Sequence, residues 1–202
     1  MNTVSTFTFA LQALITLLVI MDPPGATPIF LSLVSERSHR ERTRLAWQAA
    51  GVSLFVIATF ALFGRFILDY LNVSIEALQT AGGLLLLLVS LQLLTGTKSE
   101  EKPRNTNIGM VPLGTPLLAG PGAIVATMIF VQQANSAARI AALAVAIIAV
   151  HIIIGTVLMG STKVLMIIKD SGVTLLASIS GLLLAAIAVQ MLANGVKVLA
   201  AG

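Results

Sequence analysis

The sequence contains no cysteine and few charged residues. Of its 202 residues only 10% are charged, and 57% are hydrophobic, whereas soluble domains carry about 25% charged residues. The absence of cysteine excludes disulfides and thiolate metal sites. A nucleotide-binding loop of the G-x-x-x-x-G-K-[ST] type is also absent, which argues against direct ATP coupling within this chain. The mean hydropathy of +0.99 predicts a polytopic membrane protein with one membrane domain, residues 1–202.

Six apolar runs are long enough to cross a bilayer, which requires about 20 residues. They cover residues 7–34, 45–71, 74–96, 111–131, 138–160 and 173–199. The N-terminus has neither a basic segment nor an A-x-A cleavage site, so we interpret it as part of the first helix rather than a signal peptide. The expected fold class is an all-α protein with six transmembrane helices.

Basic residues are concentrated in three alternate connections between the predicted spans. These connections are residues 35–44, 97–109 and 161–172. Together they contain nine Lys and Arg residues, whereas the opposite side has only Arg65, Arg139 and Lys197. The positive-inside rule therefore predicts a multi-pass protein of the cell (inner) membrane with cytoplasmic basic connections and both termini outside. Anionic-lipid or partner binding is an alternative role for the arginine-rich connection.

The two halves of the chain resemble each other. The segment "GLLLLLVSLQLLTG" at 83–96 is similar to "GLLLAAIAVQMLAN" at 181–194, with Gly83 matching Gly181 and Gln92 matching Gln190. The triplet "PGA" occurs at 24–26 and again at 121–123. Three spans per copy is an odd number, so the second copy must enter the membrane from the opposite side. We expect an inverted-topology repeat: repeat 1 at about 1–97, a cytoplasmic linker at about 97–110, and repeat 2 at about 111–202.

Six of the seven prolines occur in the first span of each half. They are Pro23, Pro24, Pro28, Pro112, Pro116 and Pro121. An interior proline removes a backbone donor and breaks a helix, so helices 1 and 4 should be broken near mid-membrane. The start of a half-helix presents N–H groups that favour an anion, and the end of one presents carbonyls that favour a cation. Two adjacent breaks would therefore suit a small zwitterion, and matched interrupted spans point to a transporter's binding site.

Asp22 is the only acidic residue well inside a predicted span. An Asp followed by Pro is typical of a helix N-cap and first helical position. A direct role with substrate, proton or cation is the alternative, and the two roles are compatible. The candidate substrate- or ion-binding residues are Asp22, Pro23, Gly25, Thr27, Thr115, Gly120, Pro121 and Gly122. The hydroxyls of the two threonines could serve the site or bond to their own helix.

Three further polar residues lie within the predicted spans. His151 could form an interhelical hydrogen bond or belong to a proton relay. The matched residues Gln92 and Gln190 could hold helices together or line a cavity. None of these residues has a partner that the sequence identifies.

The motifs around both proline clusters resemble the MarC family of bacterial and archaeal inner-membrane proteins, which includes the SnatA-type transporters. The similarity rests on "MDPPGATPIFLSLV" at 21–34 and "VPLGTPLLAGPGAI" at 111–124, and it extends over all six spans. The resemblance implies six spans and, for the characterised branch, transport of small neutral amino acids such as glycine and alanine, coupled to a cation gradient. Pro24 differs from the small or aliphatic residue common at its position.

A secondary transporter for small neutral solutes, in the first place amino acids such as glycine or alanine, is the leading hypothesis. The runner-up is a passive channel or metabolite exporter built from two re-entrant segments. An intramembrane aspartyl protease needs two membrane carboxylates, and Asp22 is alone, so an enzyme is disfavoured. The expected partners are a small-molecule substrate and the lipid bilayer, with no nucleic acid. No cofactor is expected beyond a coupling proton or sodium ion, and the sequence leaves homo-oligomerisation open.

Overall fold

A computed structural model describes residues 5–34, 36–95 and 118–201, with side chains except at positions 32, 164–171 and 173. In these ranges the chain forms seven α-helices and no strand. The helices are α1 Thr6–Met21, α2 Pro23–Val34, α3 His39–Leu71, α4 Ile75–Thr95, α5 Pro121–Gln133, α6 Ala137–Met159 and α7 Ser161–Ala201. The expectation of an all-α fold is therefore confirmed for the described residues.

Five helical segments of the described chain are long and apolar enough to cross a membrane. They are Thr6–Leu31, His39–Leu71, Ile75–Thr95, Ala137–Met159 and Thr174–Ala201. The first of them combines α1 with most of α2. The predicted fourth span is represented by α5, a shorter apolar helix of 13 residues, and its portion before residue 118 lies outside the described residues. The multi-pass character of the chain follows from these helices.

The second span starts earlier than the hydropathy pattern indicated. We predicted a connection over 35–44, but α3 begins at His39, so most of that segment is helical. The reason is a capping box. The Ser38 hydroxyl accepts the Glu41 N–H at 3.4 Å, and the Glu41 carboxylate accepts the Ser38 N–H at 3.0 Å. These bonds satisfy N–H groups at the helix start, which allows the polar arginine segment to be helical.

The predicted connection over 161–172 is also wrong, because α7 is already helical from Ser161. Gly160 alone separates it from α6. Lysine and aspartate in this segment suggested a loop, but it contains no proline. Charged side chains are compatible with a helix, whereas a proline interrupts its backbone.

Two buried clusters form the interior. The larger one brings together α1, α2, α3, α5 and α6 around residues such as Phe30, Ile57 and Ile154. The smaller one joins α4, α5 and α7 around Leu86 and Leu184. The end of α1 packs against both clusters through Ile20. The first helix break therefore lies where the two clusters meet.

Candidate functional site

The first break is the single residue Asp22, between α1 and α2. Its backbone is left-handed, with φ 41° and ψ 67°, an uncommon conformation for a residue with a side chain. Its N–H donates to the Leu18 carbonyl at 3.1 Å, and its carbonyl accepts the Ala26 N–H at 2.9 Å. Asp22 thus closes one helix and opens the next.

The two prolines after Asp22 change the hydrogen bonding of the last turn of α1. Pro23 and Pro24 have no N–H groups. The carbonyls of Val19 and Ile20, which would normally accept from these positions four residues later, therefore have no helical donor. The end of α1 presents backbone oxygens at the break, and the helix dipole adds partial negative charge there.

The carboxylate of Asp22 turns back over the start of α2. The backbone amide of Gly25 and the hydroxyl of Ser180 on α7 approach it as hydrogen-bond donors. Gly25 has no room for a larger residue, because a Cβ there would overlap Asp22 Oδ2. The bond to the third residue of α2 is that of an N-cap, and the glycine allows the carboxylate to lie flat against the helix.

The candidate Thr27 is fully buried in α2, one turn beyond the break. Its hydroxyl donates to the Pro23 carbonyl at 2.8 Å. Pro23 lies four residues earlier in the same helix, so the side chain makes a local bond rather than one to another helix. Thr27 lies near Asp22 in the sequence, but its hydroxyl proton is already donated to the Pro23 carbonyl.

The second break precedes α5. Gly120 is the N-cap of this helix, with extended backbone, and Pro121 is the first helical residue. The Gly120 carbonyl accepts the N–H groups of Ala123 and Ile124 at 3.0 and 3.2 Å. Because glycine has no side chain to bond to the helix start, α5 opens without a side-chain cap. The other candidate, Thr115, lies outside the described residues.

A cavity of about 100 Å³ lies between the end of α1, the middle of α4 and the start of α5. Its walls are Ile20 at the end of α1, Leu85, Leu86 and Val89 of α4, and Leu118 with Gly120, Pro121, Gly122 and Ala123 at the start of α5. Three of the candidate residues, Gly120, Pro121 and Gly122, therefore share one cavity. Gly122 faces Leu86 so closely that a Cβ would overlap that side chain.

The residues of the first break lie beside this cavity rather than in its wall. Ile20, two positions before Asp22, is the wall residue, and the candidates Pro23 and Gly25 are not. Both breaks nevertheless belong to one buried cluster, since Met21 and Ala26 pack in it together with Leu118 and Ala119. The end of α1 and the start of α5 therefore lie near each other, because Ile20 and Gly120 line the same cavity; the binding of a zwitterion there stays a prediction.

His151 is buried in α6 and has partners at both ring nitrogens. Nδ1 is 2.7 Å from the Ile147 carbonyl, and Nε2 is 3.2 Å from the Ser53 hydroxyl on α3. Since a carbonyl only accepts, Nδ1 carries the proton, and the hydroxyl can donate to Nε2 in the neutral ring. This pairing is an interhelical hydrogen bond, one of the two roles that the sequence allowed.

Gln92 and Gln190 are both exposed and are not among the residues that line the cavity. Gln190 donates to the Asn194 side chain within α7 at 2.9 Å. Sequence reasoning also missed two polar residues, Ser180 beside Asp22 and Ser53 beside His151. For Ser53 the sequence did contain a signal. Ser53 lies 98 residues before His151, which is the offset between the similar segments of the two halves.

Known proteins resemble the chain over almost its whole length. The family model described as "MarC family integral membrane protein" matches residues 7–200. A UPF0056 membrane protein of Methanocaldococcus jannaschii is 36% identical over 186 residues, which is 88% of this chain and 91% of that protein. One of Aquifex aeolicus is 32% identical over 195 residues, 92% of this chain and 91% of its own. YvbG of Bacillus subtilis is 29% identical and covers 95% of each chain. No solved structure matches significantly.

Proposed function

Because the chain belongs to the MarC family of integral membrane proteins, we propose that it is a secondary transporter of small neutral solutes, with amino acids such as glycine or alanine as the leading substrates. A proton or sodium gradient drives the transport in this proposal. The observation that carries it is the cavity between the end of α1 and the start of α5. A binding site at two broken helices is the arrangement of several transporter folds.

The cavity has the size and polarity for a very small zwitterion. Pockets for drug-sized ligands measure about 300–1,000 Å³, so a volume of about 100 Å³ admits only a few heavy atoms. At the start of α5, Ala123 and Ile124 already donate to the Gly120 carbonyl, so the Gly122 N–H and the positive end of the helix dipole are what favour a carboxylate there. The carbonyl end of α1 favours an ammonium group. The leucine and valine side chains of α4 form an apolar wall that suits a hydrogen or methyl side chain.

A single spacing supports the inverted repeat that this mechanism needs. The helix starts Pro23 and Pro121 are 98 residues apart, and so are His39 and Ala137. The serine N-caps of α3 and α6, at 38 and 136, have the same separation. This register pairs Pro23 with Pro121, one position off the match of the two "PGA" triplets. The caps Asp22 and Gly120 then become equivalent, so the two breaks differ in one carboxylate.

Reciprocal glycine contacts support the same symmetry. A Cβ on Gly83 of α4 would lie 2.9 Å from the Ala188 carbonyl of α7, and one on Gly181 of α7 would lie 3.2 Å from the Ser90 carbonyl of α4. Ser90 and Ala188 are themselves 98 positions apart. Each glycine thus meets the equivalent of the other's partner, as a pseudo-two-fold axis between α4 and α7 would require.

Contacts at the two ends of the helices support the proposed orientation. At one end Arg42 Nη1 donates to the Thr162 hydroxyl at 3.4 Å, which joins the segments around 35–44 and 161–172. At the start of α1, Arg139 of α6 lies 5.5 Å from the Phe9 ring, and Phe130 of α5 packs edge-on against that ring. The basic end is cytoplasmic in our proposal, and both termini are outside.

The direct test is uptake of labelled glycine and alanine into proteoliposomes, with and without inward proton and sodium gradients. We expect saturable accumulation against the substrate gradient, and its loss in Asp22→Asn while the variant remains folded. Flux that only equilibrates and does not respond to either ion gradient would replace the transporter with the passive channel. Full uptake by Asp22→Asn would restrict Asp22 to its role as a helix cap.

A further inference from the structure

The uncharged part of α3 has the length of the hydrocarbon core of a bilayer. Residues 45–64 contain no charged side chain, and they lie between Arg44 and Arg65. Because a helix rises 1.5 Å per residue, this stretch is about 30 Å long, which is the thickness of a typical hydrocarbon core. Arg44 and Arg65 therefore mark the two headgroup layers, and Arg40, one turn before Arg44, lies in the same layer as Arg44.

One exposed face of α3 crosses the boundary between headgroups and hydrocarbon. Its members are all exposed and cover about 80° of the helix circumference; they are Arg40, Arg44, Trp47, Gly51 and Phe55. We call this face the α3 stripe. From the headgroup layer inwards it is first basic, then aromatic, then apolar. A phospholipid has its phosphate, its ester groups and its acyl chains in the corresponding order.

The two arginines of the α3 stripe have charges that the described residues leave unpaired. Neither Arg40 nor Arg44 forms a hydrogen bond or an ion pair within the described ranges. The neighbouring acid, Glu41, belongs to the cap of α3, where its carboxylate accepts the N–H and the hydroxyl of Ser38 at 3.0 and 2.8 Å. Residues four apart are neighbours on a helix surface, and guanidinium groups match the geometry of a phosphate. The pair can therefore bind one phosphate group together.

Trp47 is held in place and offers a hydrogen-bond donor at the boundary. Its ring packs against Gly155 of α6, where an added Cβ would lie 2.8 Å from two ring carbons. The residue is nevertheless 41% exposed, and its indole N–H has no hydrogen-bond partner in the part of the chain that the structure describes. Tryptophan is typical of membrane interfaces, where one part of the ring is apolar and the N–H is polar. This N–H suits an ester carbonyl of a lipid.

Gly51 leaves an indentation in the α3 stripe. It lies one turn from Trp47 on one side and one turn from Phe55, which is 72% exposed, on the other. A Cβ at Gly51 would meet nothing within 4 Å, so the space over the backbone between the two aromatic rings is open. Glycine allows another group to approach the backbone closely. At this depth, below the arginines, that group is a hydrocarbon chain.

We propose that the α3 stripe binds one anionic phospholipid, with its phosphate at Arg40 and Arg44, its ester region at Trp47 and one acyl chain over Gly51. Two positive side chains without an acidic partner attract a headgroup of net negative charge more than a zwitterionic one. Anionic lipids are concentrated in the cytoplasmic leaflet, which is where our topology places this end of α3. The site does not depend on the transported substrate.

Lipid retention by the purified protein tests the site. The full-length protein in detergent is titrated with phosphatidylglycerol or phosphatidylcholine of identical acyl chains, and bound lipids are counted by native mass spectrometry. The melting temperature is recorded in parallel, because a ligand that binds the folded state stabilises it. We expect one phosphatidylglycerol to bind at least tenfold more tightly than phosphatidylcholine and to raise the melting temperature. Equal retention of the two lipids would overturn the proposal.

Two arginine variants on one helix separate a defined site from general charge. Arg44→Gln should weaken phosphatidylglycerol binding about fivefold, the effect of one basic residue at an anionic surface. Arg65→Gln is the matched control, because it removes the same charge from an exposed position at the other end of the uncharged stretch, and it should bind like the wild type. Equal losses in the two variants would show that only the net charge matters and that the α3 stripe is not the site.

A third pair of variants tests the acyl chain and the other possible occupants of this face. Gly51→Leu fills the indentation and should weaken phosphatidylglycerol binding at least fivefold, whereas Ala144→Leu, at an exposed position of α6, should not. Displacement of the lipid by soluble glycerol phosphate would assign the arginines to a soluble anion instead. A dimer in lipid-free detergent that Gly51→Leu dissociates would assign the face to a second copy of the chain. Either result would overturn the lipid site.

Discussion

Ser53 of α3 and His151 of α6 are hydrogen bonded at 3.2 Å, and they stand 98 positions apart. The same spacing separates the starts of the two helices, His39 and Ala137. Within the inverted repeat that we propose, a bond between two equivalent positions lies on the axis that relates the repeats. A serine and a histidine at equivalent positions thus form one of the polar contacts that join the two halves.

Loss of the Ser53 hydroxyl should destabilise the fold. In Ser53→Ala the buried Nε2 of His151 has no protein partner, which costs about 1–3 kcal/mol of unfolding free energy. Denaturant unfolding in detergent measures the change. Thr59→Ala is the control on the same helix, since its hydroxyl bonds to the Phe55 carbonyl within α3. Equal losses in the two variants would contradict a special role for the interhelical bond.

The glycine contacts between α4 and α7 should tolerate no added methyl group. Gly83→Ala and Gly181→Ala place a Cβ within 3.2 Å of backbone carbonyls of the facing helix, and overpacking of this kind costs about 1–3 kcal/mol. Thermal unfolding of each variant measures the effect.

At Gly51 the same substitution, glycine to alanine, should stabilise the protein rather than destabilise it. A Cβ at Gly51 in α3 would meet nothing within 4 Å, so the gain in helix propensity should stabilise the protein by about 0.5–1 kcal/mol. Destabilisation at Gly51 similar to that at Gly83 would show that glycine is needed for reasons other than close packing.

A large side chain in the cavity should block substrate. Val89→Phe adds a ring to the wall that faces the start of α5, and a cavity of about 100 Å³ has no space for both the ring and an amino acid. We expect glycine uptake into proteoliposomes to fall at least tenfold. Leu88→Phe is the matched control, because Leu88 is exposed on the same helix and is not part of the wall. Unchanged uptake by Val89→Phe would remove the substrate from this cavity.

The sequence contains no cysteine, so it already provides the cysteine-free background that is needed to test the orientation with single introduced cysteines. Single cysteines at His39→Cys, at the start of α3, and Asn135→Cys, between α5 and α6, report opposite ends of the helices. A membrane-impermeant thiol reagent added to intact cells should label position 135 and leave position 39 unlabelled until the membrane is opened. The reverse pattern would invert the proposed topology.

The sequence was most informative where the chemistry is local. The break at Asp22 was predictable because two consecutive prolines cannot donate to the carbonyls before them, and Gly120 with Pro121 marks the start of α5 for a similar reason. The helical start of α7 was not predictable from charge, because lysine and aspartate are compatible with both loops and helices. Ser180 could not be linked to Asp22, because that contact depends on how α7 packs against the break.

The reciprocal contacts of Gly83 and Gly181 have a mechanical consequence. They bring the backbones of α4 and α7 together, and helices in such close contact have little freedom to slide past each other. The two helices come from different halves of the sequence, so in the transporter that we propose the moving bodies would not be the two repeats. The cavity has α4 on one side and the ends of α1 and α5 on the other. If the proposed transport takes place, opening the cavity alternately to each side of the membrane would require the α4–α7 pair to rotate as one rigid body against α1 and α5.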